Sequence, residues 1–186
     1  MKSNREFEIA WQGLKLGIHE FQYELNDRFI DNKQPEHDFR QLNAIVKVKF
    51  DKKNNFFLLH FDIDGTIIVP CDRCGDEFEM QLWDEFDLMI KLVAEDVVSN
   101  EDDGDAVFIP RSQTVLDLSD WIYEFLLLSI PLQKVHPEKA DGASGCNSQA
   151  LGLLKTLEIH EEEHLKNDIW KGLEGLQIKK EKKKKG

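Results

Sequence analysis

Cys71-Asp72-Arg73-Cys74-Gly75 is the stretch of this chain best equipped for chemistry. Two thiolates separated by two residues can face one tetrahedral zinc ion, and a glycine directly after them permits a tight knuckle whose backbone amides point at sulfur. Such a pair is half a site. Its partners would be Cys146, the only other cysteine, and His136, which shares an irregular loop with it. Three thiolates and one imidazole close the shell and leave no position for water, so a zinc ion held this way would be structural. A reduced knuckle without metal is the alternative. A redox dithiol would need the pair at a helix N-terminus in a βαβ setting, which lowers thiol pKa. Here the flanking segments read as strands.

His160-Glu161-Glu162-Glu163-His164 offers a different chemistry. On a helix, imidazoles four residues apart share a face, and the pattern matches zinc hydrolases in which the intervening Glu acts as base. That reading would give His160 and His164 a catalytic zinc, with Glu174 as a possible third ligand. Against it, the stretch is a run of acids leading to Lys166 and Asn167, which reads as a solvated helix face, and Asn167 and Trp170 stand where the extended motif has Gly and His. No phosphate-binding glycine loop and no nucleophile elbow is present.

The elements that must position these groups follow from the hydrophobic pattern. Residues 7–16 read as a strand or extended arm, and Leu25 to Ile30 as a short helical turn with a polar start. Val46, Val48 and Phe50 alternate with polar residues. After a turn at residues 51–55, Phe57, Leu59, Phe61 and Ile63 do the same. Asp64-Gly65 is a hairpin signal, and Ile67 and Val69 continue the sheet to Pro70. Phe78, Met80 and Leu82, then Phe86, Leu88, Ile90 and Leu92, complete the alternation. Short turns between such strands favour antiparallel pairing. Residues 95–105 are acidic and read as a loop, with a return strand over 106–109. Asp117 reads as an N-cap. The helix after it, 117–130, is apolar nearly all round and should be buried on the sheet. A second helix carries Leu151, Leu154 and Leu157, and Asp168 caps a last short one with Trp170, Leu173 and Leu176. Trp11, Trp83, Trp121 and Trp170 are expected in the core or an interface.

The expected fold is therefore α+β: an antiparallel meander or partly barrel-like sheet covered by one buried helix, with a helical C-terminal extension. Residues 1–178 form one domain, with a sheet core over about 7–110 and a helical part over about 115–178, and 179–186 form a disordered basic tail.

A hydrophobic content of 41% suits a globular chain rather than a disordered one. No apolar run reaches the roughly 18 residues of a membrane span, and residues 1–8 lack an apolar signal core. The expectation is a cytoplasmic protein with reduced or metal-bound thiols. The last eight residues hold six Lys and one Glu, a formal +5, which leaves −17 on the rest of a chain whose total is −12. An acidic body lacks the clustered cations that phosphate contacts need. It suits a basic protein partner, while Lys182, Lys183, Lys184 and Lys185 could reach RNA. Neither a membrane nor a small-molecule substrate is expected.

Several phrases in fixed order resemble the YceD family of large ribosomal RNA accumulation proteins. They are Val69-Pro70-Cys71-Asp72-Arg73-Cys74 followed by Glu77-Phe78-Glu79, the helix end Glu124-Phe125-Leu126-Leu127-Leu128-Ser129-Ile130-Pro131 with His136-Pro137 after it, and Cys146 before Asp168-Ile169-Trp170-Lys171-Gly172-Leu173. The family's Asp-Pro-Arg-Trp phrase is matched only in part, since Ile169 alone separates Asp168 from Trp170. Many members carry a second cysteine pair in the late loop, where this chain has Cys146 and His136. The resemblance, over roughly 7–176, implies a non-enzymatic bacterial factor in large-subunit ribosomal RNA accumulation or ribosome assembly. Its partner would be a ribosomal RNA precursor or a basic ribosomal protein, with Arg73 at the exposed tip of the knuckle reaching it.

Overall fold

The computed structural model describes residues 5–34, 36–94 and 106–164, with side chains through 157. Its centre is an open five-stranded sheet in the order β2-β3-β4-β5-β6. The strands are β2 (Gly17–Asn26), β3 (Arg40–Lys52), β4 (Phe56–Pro70), β5 (Glu77–Val93) and β6 (Ala106–Pro110). β2 to β5 form an antiparallel meander, and β6 adds in parallel to β5. The sheet is not closed. A short β1 (Glu8–Ile9) pairs with β7 (Leu116–Asp117) beside it. The helices are α1 (Asp27–Lys33), α2 (Ser119–Leu128) and α3 (Ser148–His164). Among the described residues no helix is long and apolar enough to cross a membrane.

The period-two pattern sets the core. Val46, Val48 and Phe50 on β3 stand opposite Ile63, Phe61 and Leu59 on β4, and all six are buried. On β5, Phe86, Leu88 and Ile90 continue the same face. α2 docks there through Ile122, Leu126 and Phe125, whose ring stacks on Phe86 at 4.6 Å between centroids and meets Phe61 edge-on at 5.0 Å. The segment before β2 covers the other end of this face. Phe7 packs on Tyr23 and Phe29, and Trp11 on Phe57. Lys52 anchors it by donating to the carbonyls of Trp11 and Leu14, each at 2.8 Å.

Several expectations need correction. β4 runs straight through Asp64-Gly65 without a hairpin. Gly65 is needed for a different reason: a Cβ there would lie 2.4 Å from the Ala44 Cβ, 2.5 Å from the Ala44 Cα and 2.6 Å from the Asn43 carbonyl oxygen. This close approach adjoins a register shift between Arg40 and Asn43, where Gln41 takes a left-handed φ of 53°. The Asp27 carboxylate steadies it by accepting from the amides of Gln41 and Leu42. The strand or extended arm expected over 7–16 is only the two-residue β1, set between 3₁₀ turns at Arg5–Phe7 and Trp11–Gly13. Leu25 lies within β2, which ends at Asn26, and the helical turn expected from Leu25 begins at Asp27, with the Asn26 side chain accepting from the Arg28 amide.

α2 starts two residues later than its expected cap. The Asp117 carboxylate accepts from the Ser119 amide, while Leu118 holds the cap position. Nor is α2 buried all round, since Leu128 is 66% exposed. Trp11 is buried and Trp121 half-buried, whereas Trp83 stands 76% exposed on the face away from the core. Residues 95–105, the expected last helix with Trp170, and the basic tail lie outside the described residues.

Gly65→Ala is expected to lower stability by about 1–3 kcal/mol, because backbone atoms of β3 must yield. Urea denaturation would show a lower midpoint at an unchanged slope. Gly152→Ala, in the second turn of α3 with open space around it, is expected to be neutral or stabilising.

Candidate metal centre

β4 and β5 pair in register up to Pro70 opposite Glu77, so the knuckle is the turn of the longest hairpin among the described residues. The Cys71 amide donates to the Asp76 carbonyl at 2.9 Å and the Gly75 amide to the Cys71 carbonyl at 2.9 Å. Gly75 has a φ of 77°, which suits a residue without Cβ. The late loop is tied to this turn by a two-way contact: the Asp72 amide donates to the Lys134 carbonyl at 2.7 Å, and the Lys134 amide donates to the Asp72 carboxylate at 2.6 Å. Asn147 adds a bond to the Asp76 carboxylate.

The loop itself folds as a small hairpin. Glu138 bridges Ser144, the Lys139 amide donates to the Ala143 carbonyl, and Gly142 turns the chain with a φ of 77°. This brings Cys146 back alongside His136. Gly145 is needed for that return, since a Cβ there would sit 2.4 Å from the Pro137 carbonyl oxygen. The His136 ring lies against Phe78 at 4.6 Å between centroids, which fixes its plane.

All four residues picked out from the sequence therefore converge. One ligand atom from each of Cys71, Cys74, His136 and Cys146 lies within 4.8 Å of every other, and the group could hold a metal ion. The Cys71 and Cys146 sulfurs are 3.7 Å apart, and the Cys74 sulfur is 3.5 Å from His136 Nδ1. Metal–sulfur bonds of about 2.3 Å and a metal–nitrogen bond of about 2.1 Å give tetrahedral edges of roughly 3.8 Å and 3.6 Å. The observed spacings fit those edges, and the cysteines are free thiols.

Electrostatics favours a cation here. Burial of the Cys71 thiol opposes its ionisation, but the amides of Arg73, Cys74 and His136 and the His136 side chain outweigh it and bring the thiol down to about 6. The amides of Asn147 and Asp76 favour the Cys74 thiolate, yet burial and the crowding thiols of Cys71 and Cys146 leave its pKa raised. Three clustered sulfurs cannot all ionise cheaply beside one another; a divalent cation among them removes that repulsion.

Arg73 is exposed at the knuckle tip, where it lines a groove with Asp72, Gln133, Val135 and Leu154. The backbone of α3 carries His160, Glu161 and His164, whose side chains lie outside the described residues, as do Glu174 and Lys182, Lys183, Lys184 and Lys185. Sequence reasoning missed the clamp formed by Asp72 and the backbone of Lys134. An aspartate directly after a knuckle cysteine was the only sign of it.

Fold and site together define an α+β protein whose open sheet carries a Cys3His cluster between a strand turn and a distant loop. The chain belongs to the family described as large ribosomal RNA subunit accumulation protein YceD, which matches residues 59–177. The match begins within β4 and takes in the knuckle, α2 and the late loop, while β2 and β3 precede it. No curated protein and no solved structure matches the chain.

Asp72→Ala is expected to cost about 1 kcal/mol by freeing the Lys134 amide, and Asp72→Asn much less because its carbonyl can still accept. Chemical denaturation of the two variants side by side would read the difference.

Proposed function

We propose that this chain is a non-enzymatic factor in large-subunit ribosomal RNA accumulation or ribosome assembly. It acts by binding a ribosomal RNA precursor or a basic ribosomal protein, and one structural zinc ion held by Cys71, Cys74, His136 and Cys146 fixes its docking surface. The observation that carries this reading is the convergence of four donors within 4.8 Å from two segments far apart in sequence. Three sulfurs and one imidazole suit zinc above harder cations, which prefer oxygen. A closed set of four offers no open position for an activated water, which supports a structural role over hydrolysis.

The family description supports the large ribosomal subunit as the place of action. Charge supports the mode: a −17 body attracts basic protein, and the +5 carried by residues 179–186 attracts RNA. Arg73, held at the tip of the zinc-fixed knuckle, would touch the partner.

Purified protein is expected to contain about one zinc per chain by elemental mass spectrometry. Cys71→Ser or Cys146→Ser should lose most of it and lower the melting temperature by on the order of 5–10 °C. In cells lacking the chain, large-subunit ribosomal RNA should fall, with rescue by Glu161→Gln but not by Cys71→Ser. Protein that stays metal-free when folded with zinc would end the zinc reading. Failure of Glu161→Gln to rescue would turn the assignment towards the hydrolase that His160, Glu161 and His164 suggest.

A further inference from the structure

The sheet has a second face, and its composition is unlike that of the core. Trp83 stands there in the middle of β5, 76% exposed. Asp64 lies directly opposite it on β4, and the next pair on that face is Asp62 with Glu85. Glu79 is on the same face of the same strand. Among the described residues Asp62, Asp64 and Glu79 close no ion pair. Lys47, opposite Asp62 across the β3–β4 pair, closes no ion pair with it, and Glu85 has the His60 ring nitrogen 3.9 Å from its carboxylate. Ile45, also exposed, faces Asp64 from β3.

A large indole left in water at mid-strand has the character of a binding anchor, for which Trp is the favoured residue. Carboxylates around it decide the ligand. A guanidinium stacks on the ring while its N–H groups donate to flanking carboxylates, and an ammonium does so less specifically. The same carboxylates repel phosphate, so RNA is disfavoured here. The spacing also suits a polypeptide, because alternate side chains of an extended segment repeat at the same roughly 6.6 Å as Asp62 and Asp64 or Trp83 and Glu85.

We propose that this face docks an arginine- and lysine-rich polypeptide segment of a partner protein, with Trp83 as its anchor and Asp62, Asp64 and Glu85 as its charge partners. The proposal deepens, and rests on, the reading that the chain serves large-subunit assembly by binding. It assigns the protein partner to the sheet and leaves RNA to other surfaces.

Fluorescein-labelled nona-arginine titrated into the full chain tests it. Trp83→Ala should weaken binding about fivefold at unchanged net charge. Asp62→Asn with Asp64→Asn should weaken it about tenfold and flatten its salt dependence. Glu36→Gln with Glu124→Gln, exposed residues outside the sheet, should change it less than about twofold. All these positions are surface ones, and circular dichroism confirms that each variant is folded. Equal losses from both double variants, or none from Trp83→Ala, overturn the proposal. So does Trp83-dependent binding of poly-uridine RNA that exceeds peptide binding, a Trp83-dependent dimer in sedimentation, or about tenfold tighter peptide binding once residues 179–186 are removed, which would make the chain's own tail the occupant. Co-sedimentation with large-subunit precursors separates the two readings. If wild type fails to co-sediment, the assembly reading falls. If wild type and Trp83→Ala co-sediment equally, only the docking face falls.

Discussion

The in-register pairing of β4 with β5 governs both halves of this molecule. It extends from Phe56 opposite Lys91 to Pro70 opposite Glu77, and every second pair along it is apolar on one face except where Ile63 meets the half-buried Asp84. A slip by one residue would exchange the faces and expose Phe57, Leu59 and Phe61 to water. The same register places Cys71 and Cys74 in the six residues left to turn the hairpin. Core burial and the geometry of the thiol knuckle are therefore set by one ladder of hydrogen bonds. Gly65 shows how tightly that ladder is packed against β3.

The alternation that builds this ladder was legible in the residues themselves, because most core positions of β3, β4 and β5 recur at every second residue, with Lys47, Lys49, His60, Asp62, Gln81, Glu85 and Asp87 among the residues between them. Where reading failed, a local signal had a second physical cause. Asp64-Gly65 has the chemistry of a tight turn, but the glycine serves a close approach of Ala44, which lies outside any local window. β2 was not anticipated although Phe21, Tyr23 and Leu25 alternate. Its first half is only partly buried and its polar residues blur the period. α2 reads as apolar on every side because Leu127 and Leu128 extend the run, yet the sheet covers one side of it. The four donors were legible by residue type alone. Their convergence depends on the Asp72–Lys134 clamp and the Glu138–Ser144 bridge, which no spacing rule announces.

The two faces of the sheet divide the labour. The inner one is largely apolar, with the Phe125 ring against both Phe86 and Phe61. The outer one sets acids beside a single exposed indole. An open sheet keeps both available to different neighbours, whereas a closed barrel would give one face to a filled interior. The parallel addition of β6 lengthens the sheet at the end of β5 away from the knuckle, so the thiol turn stays at the rim.

The separation of the donors along the chain also orders events in time. The sheet is complete at Pro110, but Cys146 emerges from the ribosome only later, so a nascent chain holds the knuckle cysteines well before it can finish the cluster. Closing a gap of 62 residues between Cys74 and His136 from a random coil would cost on the order of 4 kcal/mol in entropy. α2 removes most of that cost, because once Phe125 rests on Phe86 only the few residues from Ser129 to His136 must still find their path. Docking of α2 ahead of the late loop would thus spare most of the entropy needed to bring His136 and Cys146 to the knuckle.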